Sequence, residues 1–224
     1  MENLTLTSQE LKRITIVFAV AFALILGGIA LVQFWRYGEI TPGSLLDWAS
    51  ASLTSTTLLF GGFCKWAWCY GPVPRWLGRP VIRGVWLGYL SSDYGRAEGE
   101  RPLKKPIVFV VRQTYLTLSI QSFTDKQVGE SKVEALLRNV RTDAIRLAYV
   151  FELKKEYEGS HNLVNGAGDL HLVSDGSVMD GAYWTSSPTS GRLRLRRVSK
   201  EPKGIDRFDD ACRKWPDGAK WDAA

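Results

Sequence analysis

The residues best suited to chemistry in this sequence are aromatic and hydroxyl side chains beyond residue 80, together with one arginine and one histidine. Aromatic planes stack on the bases of a nucleotide, and cations or hydroxyl groups contact its phosphates. The candidate ligand-binding residues are Trp86, Thr124, Ser131, Arg146, Tyr149, His171, Tyr183 and Thr185. Taken singly, each is more often a packing or strand-forming residue than a ligand contact. They predict a binding site only if the fold brings them together.

Catalytic motifs are not found in the sequence. It has no glycine-rich phosphate loop, no nucleophile elbow and no set of His and Cys at metal-ligand spacing. Cys64, Cys69 and Cys212 have neither redox nor metal-binding spacing, and His161 and His171 are the two histidines. We therefore expect a protein that is not an enzyme and that uses no metal or other cofactor.

A row of arginines lies near the end of the chain. Leu193 and Leu195 alternate with Arg192, Arg194 and Arg196 after a turn rich in Ser, Pro and Gly, which is typical of an antiparallel hairpin. The alternation favours leucines facing the core and arginines facing solvent, a lipid headgroup or another protein. The alternative is that some arginines line a ligand site, where a guanidinium can bind phosphate through two hydrogen bonds.

The residues beyond 80 have the pattern of an all-β domain. The predicted strands are residues 81–91, 106–113, 115–123, 131–140, 144–153, 167–174, 177–185 and 191–198. Most are separated by short breaks, so sequence neighbours should pair as antiparallel hairpins. Residues 131–140 also fit a helical period. The pattern is compatible with a sandwich or with a closed barrel.

We predict an eight-stranded closed antiparallel up-and-down β-barrel, because closure removes the exposed edges of a small sheet. Such a barrel is wide enough to hold one small ligand. The last strand should pair with the strand around Gly84–Gly88 to complete it. The loops 92–105 and 154–166 could then elaborate the mouth of the barrel.

The first 70 residues have the composition of a membrane segment. Residues 14–35 carry no charge and are long enough to span a bilayer core of about 30 Å. Residues 45–70 form a weaker second candidate with Asp47 and Lys65 near its ends. An amphipathic helix on the membrane surface is the alternative for that segment. We predict two N-terminal transmembrane α-helices that form a hairpin over residues 1–70.

Charge indicates the orientation and the remaining domains. The helix pair is flanked on both sides by Lys and Arg, so the positive-inside rule places the N-terminus and the barrel in the cytoplasm, which suits reduced thiols. Residues 71–80 are a predicted linker, 81–199 the barrel, and 200–224 a polar tail expected to be disordered. The net charge of +6 favours an anionic partner, or reflects only solubility and membrane topology.

Several segments also carry the motifs of a known family. They are Gly84-Val-Trp86-Leu-Gly88, Leu147-Ala-Tyr149-Val-Phe151, Gly168-Asp-Leu170, Gly181-Ala-Tyr183-Trp-Thr185 and Gly191-Arg-Leu193-Arg-Leu195. Their order, with the helix pair before them, resembles the two-transmembrane β-barrel effectors of bacterial CBASS anti-phage systems, which are associated with CD-NTase enzymes. The chain departs from that pattern after Leu153, where Lys-Lys-Glu-Tyr-Glu-Gly replaces an expected Asn and Pro. Thr124 and Ser131 represent only part of the hydroxyl-rich stretch after the third strand.

The resemblance implies a cytoplasmic barrel that binds a cyclic di- or trinucleotide made by a partner CD-NTase synthase. Binding would promote a homo-oligomer, and the clustered helices would disrupt the lipid of the bacterial inner membrane and abort infection. DNA and RNA polymers are not expected as partners. One alternative is a membrane-tethered, lipocalin-like barrel that holds lipid or another small apolar ligand. Another is a structural membrane protein whose arginine row docks a further subunit.

Overall fold

The chain forms two compact units in a computed structural model. The model describes residues 2–3, 8–38, 42–93, 102–139, 141–155, 163–173, 176–187 and 189–216. The helical unit contains residues 6–77 and 114–116, and the barrel unit contains residues 1–5, 78–113 and 117–224. Most of the two loops expected at the barrel mouth, residues 94–101 and 156–162, lies outside the described residues.

The helical unit is built around two long helices. Helix α1 (Ser8–Tyr37) and helix α2 (Pro42–Lys65) are followed by a 3-10 turn (Ala67–Cys69) and a short helix α3 (Val73–Trp76). Within the described part of the chain, one helix, over Leu11–Tyr37, is long and apolar enough to cross a membrane. This helix suggests membrane anchoring.

Helix α2 is less apolar than α1 because hydroxyl residues and Asp47 interrupt its leucines. The prediction of two transmembrane helices is therefore supported for one helix only. The exposed hydroxyls of Ser50, Thr54 and Thr57 donate to the carbonyls four residues earlier, at 2.8–2.9 Å. Such bonds satisfy the polar groups within the helix itself.

The two long helices pack through aromatic rings and small side chains. The rings of Phe18 on α1 and Phe60 on α2 meet edge to face, with centroids 4.7 Å apart. Trp48, Ser52 and Thr56, spaced at one helical turn on α2, are buried. The hydroxyls of Ser52 and Thr56 have no hydrogen-bond partner among the described residues.

The barrel unit is a closed meander of eight antiparallel strands. They are β2 (Gly84–Ser92), β3 (Leu103–Gln113), β4 (Leu118–Phe123), β5 (Gln127–Arg138), β6 (Ile145–Lys155), β7 (Val164–Val173), β8 (Val178–Thr185) and β9 (Ser190–Ser199). Each pairs with the next in sequence, and β2 pairs with β9 to close the barrel. A two-residue strand, β1 (Glu2–Asn3), also pairs with β5. The predicted up-and-down barrel is confirmed.

The closing pair is the one that the sequence predicted. Gly88 of β2 lies opposite Leu195 of β9, and Leu90 lies opposite Leu193. Leu193 and Leu195 are buried in the inner core of the barrel, and Arg192, Arg194 and Arg196, which alternate with them, are exposed. Residues 131–138 belong to β5, so the helical alternative for that segment is wrong.

The C-terminal segment differs from the disordered tail that its polar composition predicted. Residues 208–214 form helix α4 (Phe208–Lys214), and both Ile205 and Ala211 are fully buried. They cover an apolar cluster on the outer wall of β2, β3 and β4. That outer cluster consists of Val85, Leu87, Val108, Val110 and Phe123, with Phe208, Cys212 and Trp215 packed against it. Residues 217–224 lie outside the described residues.

The composition misled because a few apolar residues carry the contact. Ile205 is isolated among Gly204, Asp206 and Arg207, so no periodic pattern marks it. The outer faces of β2 and β3 supply the apolar surface instead, as both faces of these strands are buried. Strands buried on both faces need a covering layer on each side.

We predict that Ile205→Ala lowers the free energy of unfolding of the barrel by about 2–5 kcal/mol, because a fully buried isoleucine leaves a cavity over the outer cluster. The measurement is thermal or chemical unfolding of the purified full-length protein, followed by tryptophan fluorescence. Lys203→Ala, at an exposed position of the same segment, is the control and should change stability by less than about 0.5 kcal/mol. Equal effects of the two substitutions would show that the segment is not a packed part of the fold.

Candidate ligand-binding cavity

One end of the barrel interior encloses a cavity of about 390 Å³. This lies within the range of about 300–1,000 Å³ that is usual for small-molecule sites. The apolar and aromatic lining residues are Leu90, Leu103, Ile107, Phe109, Tyr149, Phe151, Leu153, Val164, Tyr183 and Leu193. The polar lining residues are Ser92, Lys105, Ser122, Thr124, Gln127, Thr185, Ser187 and Thr189. The cavity therefore combines an apolar wall with hydroxyl groups and one cation.

Three aromatic rings form one wall of the cavity. Phe109 and Tyr149 meet edge to face with centroids 5.9 Å apart, and Tyr149 lies 5.6 Å from Phe151. Burial raises the pKa of the Tyr149 phenol well above its usual value. The phenol therefore stays neutral, and the wall offers a planar ligand apolar faces without a negative charge.

Glycines on the neighbouring strands make room for these rings. Gly168 lies opposite Tyr149 and Gly166 opposite Phe151 in the β6–β7 pair. A Cβ at either glycine would overlap the aromatic side chain opposite it. Tyr183 repeats the arrangement with Gly191 in the β8–β9 pair. The rings occupy space that any side chain on the facing strand would fill, and this leaves the centre of the barrel open.

Hydroxyl groups from three parts of the chain line the cavity. Thr185 Oγ1 donates to the Ser187 carbonyl at 2.7 Å and also contacts the Thr189 hydroxyl. Thr124 Oγ1 accepts a bond from the Gln127 amide at 3.1 Å. These bonds hold the hydroxyls in fixed positions. The strand-and-turn backbone, rather than flexible side chains, therefore sets where a ligand could form hydrogen bonds.

Tyr183 connects this cavity to an acidic residue at the end of β2. Burial raises the pKa of the Tyr183 phenol, a side-chain hydrogen bond from Ser92 opposes the shift, and the charge of Asp93 adds to it. Asp93 itself is fixed by Ser190, whose amide and hydroxyl donate to its carboxylate at 2.7 and 2.8 Å. These bonds lower the pKa of Asp93, so it is ionised at neutral pH.

Among the described lining residues, Lys105 is the charged one, and it is not among the site residues predicted from the sequence. Its side chain shares the inner face of β3 with Ile107 and Phe109, two and four positions further on. Among the described residues no carboxylate forms an ion pair with it. The same alternation that placed the arginine row outside would have placed Lys105 inside. The strand predicted from the sequence begins at residue 106, whereas β3 begins at Leu103 and so includes Lys105.

The structure brings four of the eight predicted site residues together. Thr124, Tyr149, Tyr183 and Thr185 all line the cavity. They come from the turn after β4 and from strands β6 and β8, which the meander places around one end of the barrel. Their separation in the sequence does not predict that they lie together, whereas the closed meander of strands brings them to one end of the barrel.

The other four predicted residues do not line the cavity. Trp86 is fully buried in the inner core, where its Nε1 donates to the Ile82 carbonyl at 2.9 Å. Ser131 lies at a bulge of β5, where its hydroxyl accepts a bond from the Ile120 amide at 2.8 Å. Ser131 therefore joins β4 to β5, which pair directly over only a few residues.

Arg146 and His171 lie on the outer wall of the barrel. Arg146 follows Ile145 and precedes Leu147, whose side chains pack in the inner core, so its own side chain points outward. There it forms a two-bond ion pair with Asp169. His171 is exposed beside it on β7. The chemistry of both side chains suits a ligand site, but their positions on the strands direct them away from the barrel interior.

Among the described residues, no group of three or more His, Cys, Asp and Glu side chains could hold a metal ion. The chain matches no protein-family model. It is 27% identical to CD-NTase-associated protein 15 from Staphylococcus schleiferi over 190 aligned residues. The alignment covers 85% of this chain and 97% of that protein. It spans the helical unit and the barrel together, since an aligned length of 190 residues exceeds either unit alone.

We predict that Gly168→Ala lowers the unfolding free energy of the barrel by about 1–3 kcal/mol, because the new methyl group overlaps the Tyr149 side chain. Tyr149→Leu in the same chain should recover part of that loss, since the smaller side chain removes the overlap. A double-mutant cycle measured by thermal unfolding tests the coupling. Additive effects of the two substitutions would contradict the proposed packing of ring against glycine.

Proposed function

We propose that this protein is a membrane effector of CBASS anti-phage defence whose barrel binds a cyclic oligonucleotide. The observation that carries the proposal is the cavity, in which aromatic rings, fixed hydroxyls and one lysine face the same space. These are the groups that recognise bases, riboses and phosphates, respectively. The similarity to a CD-NTase-associated protein supports the same ligand class, because it indicates a cyclic nucleotide signalling context.

Each part of the cavity has a role in this proposal. Lys105 contacts a phosphate, and the hydroxyl oxygens of Thr124, Thr185 and Thr189 accept hydrogen bonds from the ribose hydroxyls, because Thr185 already donates to the Ser187 carbonyl. Phe109, Tyr149 and Phe151 pack against a base. Among the described lining residues, Lys105 supplies the positive charge, so affinity should depend on hydrogen bonds and stacking as well as on charge.

The effector works without catalysis in this proposal. Ligand binding would favour a barrel conformation that self-associates, and the shift is limited by the difference in affinity between the two states. Association would cluster the attached helices in the inner membrane and disrupt its lipid. No DNA or RNA polymer takes part, since the cavity encloses a small ligand.

The membrane part of the proposal uses both long helices. α1 spans the bilayer, and α2 returns through it, with its exposed hydroxyls bonded to its own backbone. In this proposal the N-terminus and the barrel lie in the cytoplasm. Lys12 and Arg13 in the first turns of α1, and Arg75, Arg79 and Arg83 after α2, support that orientation. A hairpin of this kind leaves the short link near Gly38 on the opposite side.

A second candidate function follows from the apolar half of the cavity. Leu90, Leu103 and Leu153, with Ile107, Val164 and Leu193, provide a surface that a lipid chain could occupy. A membrane-tethered, lipocalin-like carrier would use this surface and would not need Lys105. The role of that lysine therefore separates the two functions.

We predict that Lys105→Gln weakens binding of a cyclic di- or trinucleotide at least about tenfold, because a charge-assisted hydrogen bond is lost. The measurement is calorimetric titration of the full-length protein in nanodiscs with a panel of cyclic nucleotides. Lys104→Gln is the matched control, because the neighbouring lysine lies on the outer wall over Tyr89 and should leave affinity unchanged. If no nucleotide binds and lipid co-purifies with the protein, the carrier function is correct instead.

We predict that single cysteines on the two sides of the hairpin react differently in cells. In a chain whose native cysteines are replaced by serine, Tyr37→Cys should react with a membrane-impermeant maleimide in spheroplasts. Lys203→Cys should react only after lysis. Both side chains are exposed, so accessibility reports membrane side rather than burial. Reaction of both before lysis would rule out a cytoplasmic barrel.

A further inference from the structure

The outer wall of the barrel carries an apolar patch over β5–β8. Val133, Val150, Ala167 and Trp184 form one row across the four strands, each opposite the next. Ala135, Ala148 and Ala182 belong to a second row beside it, in which Asp169 on β7 lies between Ala148 and Ala182. The seven apolar residues of the two rows are called the alanine patch below. Val133, Val150 and Trp184 are 61%, 44% and 51% exposed.

The patch is not explained by the needs of the fold. The inner neighbours of these residues, such as Leu147, Tyr149 and Leu170, already fill the inner core. An outer face that meets only water is expected to be polar in a half-buried antiparallel strand. The outer cluster on β2–β4 is covered by the C-terminal segment, whereas Val133, Val150 and Trp184 of the alanine patch stay exposed and no described segment of the barrel unit covers them. Contiguous exposed apolar patches usually mark an interaction site.

The shape of the patch favours a flat partner. Four of its seven residues are alanine, so another backbone could approach closely between the flanking valines and Trp184. An exposed tryptophan beside such a surface is typical of the anchor residue in a protein interface. These features indicate a folded protein wall as the occupant.

The charges around the patch are balanced. Arg146 pairs with Asp169, and Arg192 lies 3.3 Å from Asp180. On the other side Lys132 and Lys154 lie 3.8 Å from Glu152 or Glu130. A lipid surface or a nucleic acid would select an excess of cations. A rim that holds both signs of charge can instead face the rim of a second copy, because each cation of one copy can pair with a carboxylate of the other.

We propose that the alanine patch is the contact between the barrels of two copies of this protein, related by a twofold axis. This inference rests on the proposed function, because it names the surface by which the effector self-associates. The exposed Arg194 and Arg196 lie beyond the patch and, among the described residues, have no acidic partner. Their uncompensated charge would repel the same residues of a second copy, so they lie outside the proposed contact.

The size of the patch agrees with a contact that needs the membrane. Four strands about 4.8 Å apart and two rows about 7 Å apart give an apolar area far below the roughly 800 Å² per partner of a stable complex. Such a contact is too weak to hold a dimer in dilute solution. Tethering to one membrane raises the effective concentration of the partner, which makes a small patch sufficient.

The experiment is cysteine cross-linking of the full-length protein in membranes, in a chain whose native cysteines are replaced by serine. Ala148→Cys, Ala167→Cys and Ala182→Cys place a thiol at different points of the patch. At least one should give a disulfide-linked dimer, because residues near a twofold axis meet their own copies. Ser119→Cys, exposed on the outer wall of β4, is the control and should give none. Absence of dimer from all three patch positions would overturn the proposal.

A charge inside the patch tests the same contact without cross-linking. Ala167→Arg should lower the dimeric fraction at least tenfold, whereas Arg196→Glu should not lower it. Ala167 faces away from the cavity, so nucleotide affinity should stay within twofold in nanodiscs that hold one copy, which also shows that the variant folds. An equal loss of dimer with both substitutions would assign the contact to another surface.

Two further outcomes separate this proposal from the proposed function. Dimer formation at high protein-to-lipid ratio without nucleotide supports the patch even if no nucleotide binds. Quenching of Trp184 by brominated lipid, measured as the difference from Trp184→Phe, would show that the patch lies on the bilayer and would overturn the proposal.

Discussion

Closure of the barrel by β2 and β9 is the constraint on which the rest of this structure depends. Once Gly88 pairs with Leu195, no strand of the meander has a free side, and each residue faces either the interior or the outside. The parity of each position then decides its chemistry. Lys105 enters the cavity and Lys104 does not, although they are neighbours in sequence and identical in type.

The open centre of the barrel depends on a second constraint, the pairing of aromatic residues with glycines. Eight strands enclose an interior that side chains can fill completely. Away from the cavity, the side chains of Trp86, Leu147 and Leu170 do fill the interior. At the end of the barrel that holds the cavity, Gly166, Gly168 and Gly191 let the facing aromatic rings lie along the wall, so space remains beside the rings. The cavity is therefore a property of specific glycine positions rather than of strand number.

The strands and their order could be predicted from sequence because alternation and short turns are local signals. The inward parity of Tyr149, Tyr183 and Thr185 could be predicted for the same reason. Three things could not. The helix at Phe208–Lys214 packs on the apolar outer faces of β2 and β3. It could not be predicted, because the sequence alone does not show that both faces of these strands are buried. Trp86 faces the interior but lies away from the cavity, and alternation along a strand does not predict the distance of a residue from the cavity end. The position of Lys105 in the cavity could not be predicted without knowing that β3 begins at Leu103.

The cavity and the alanine patch are two faces of the same short stretch of wall. Tyr149 lines the cavity between Ala148 and Val150 of the patch, Gly168 supports its ring next to Ala167, and Tyr183 lies between Ala182 and Trp184. A ligand that moves these rings must act on a backbone whose other side carries the proposed contact. Because interiors are close-packed, the displaced wall has few alternative arrangements. Coupling between binding and association would then need no long pathway, and by linkage a second barrel would raise ligand affinity by the same factor.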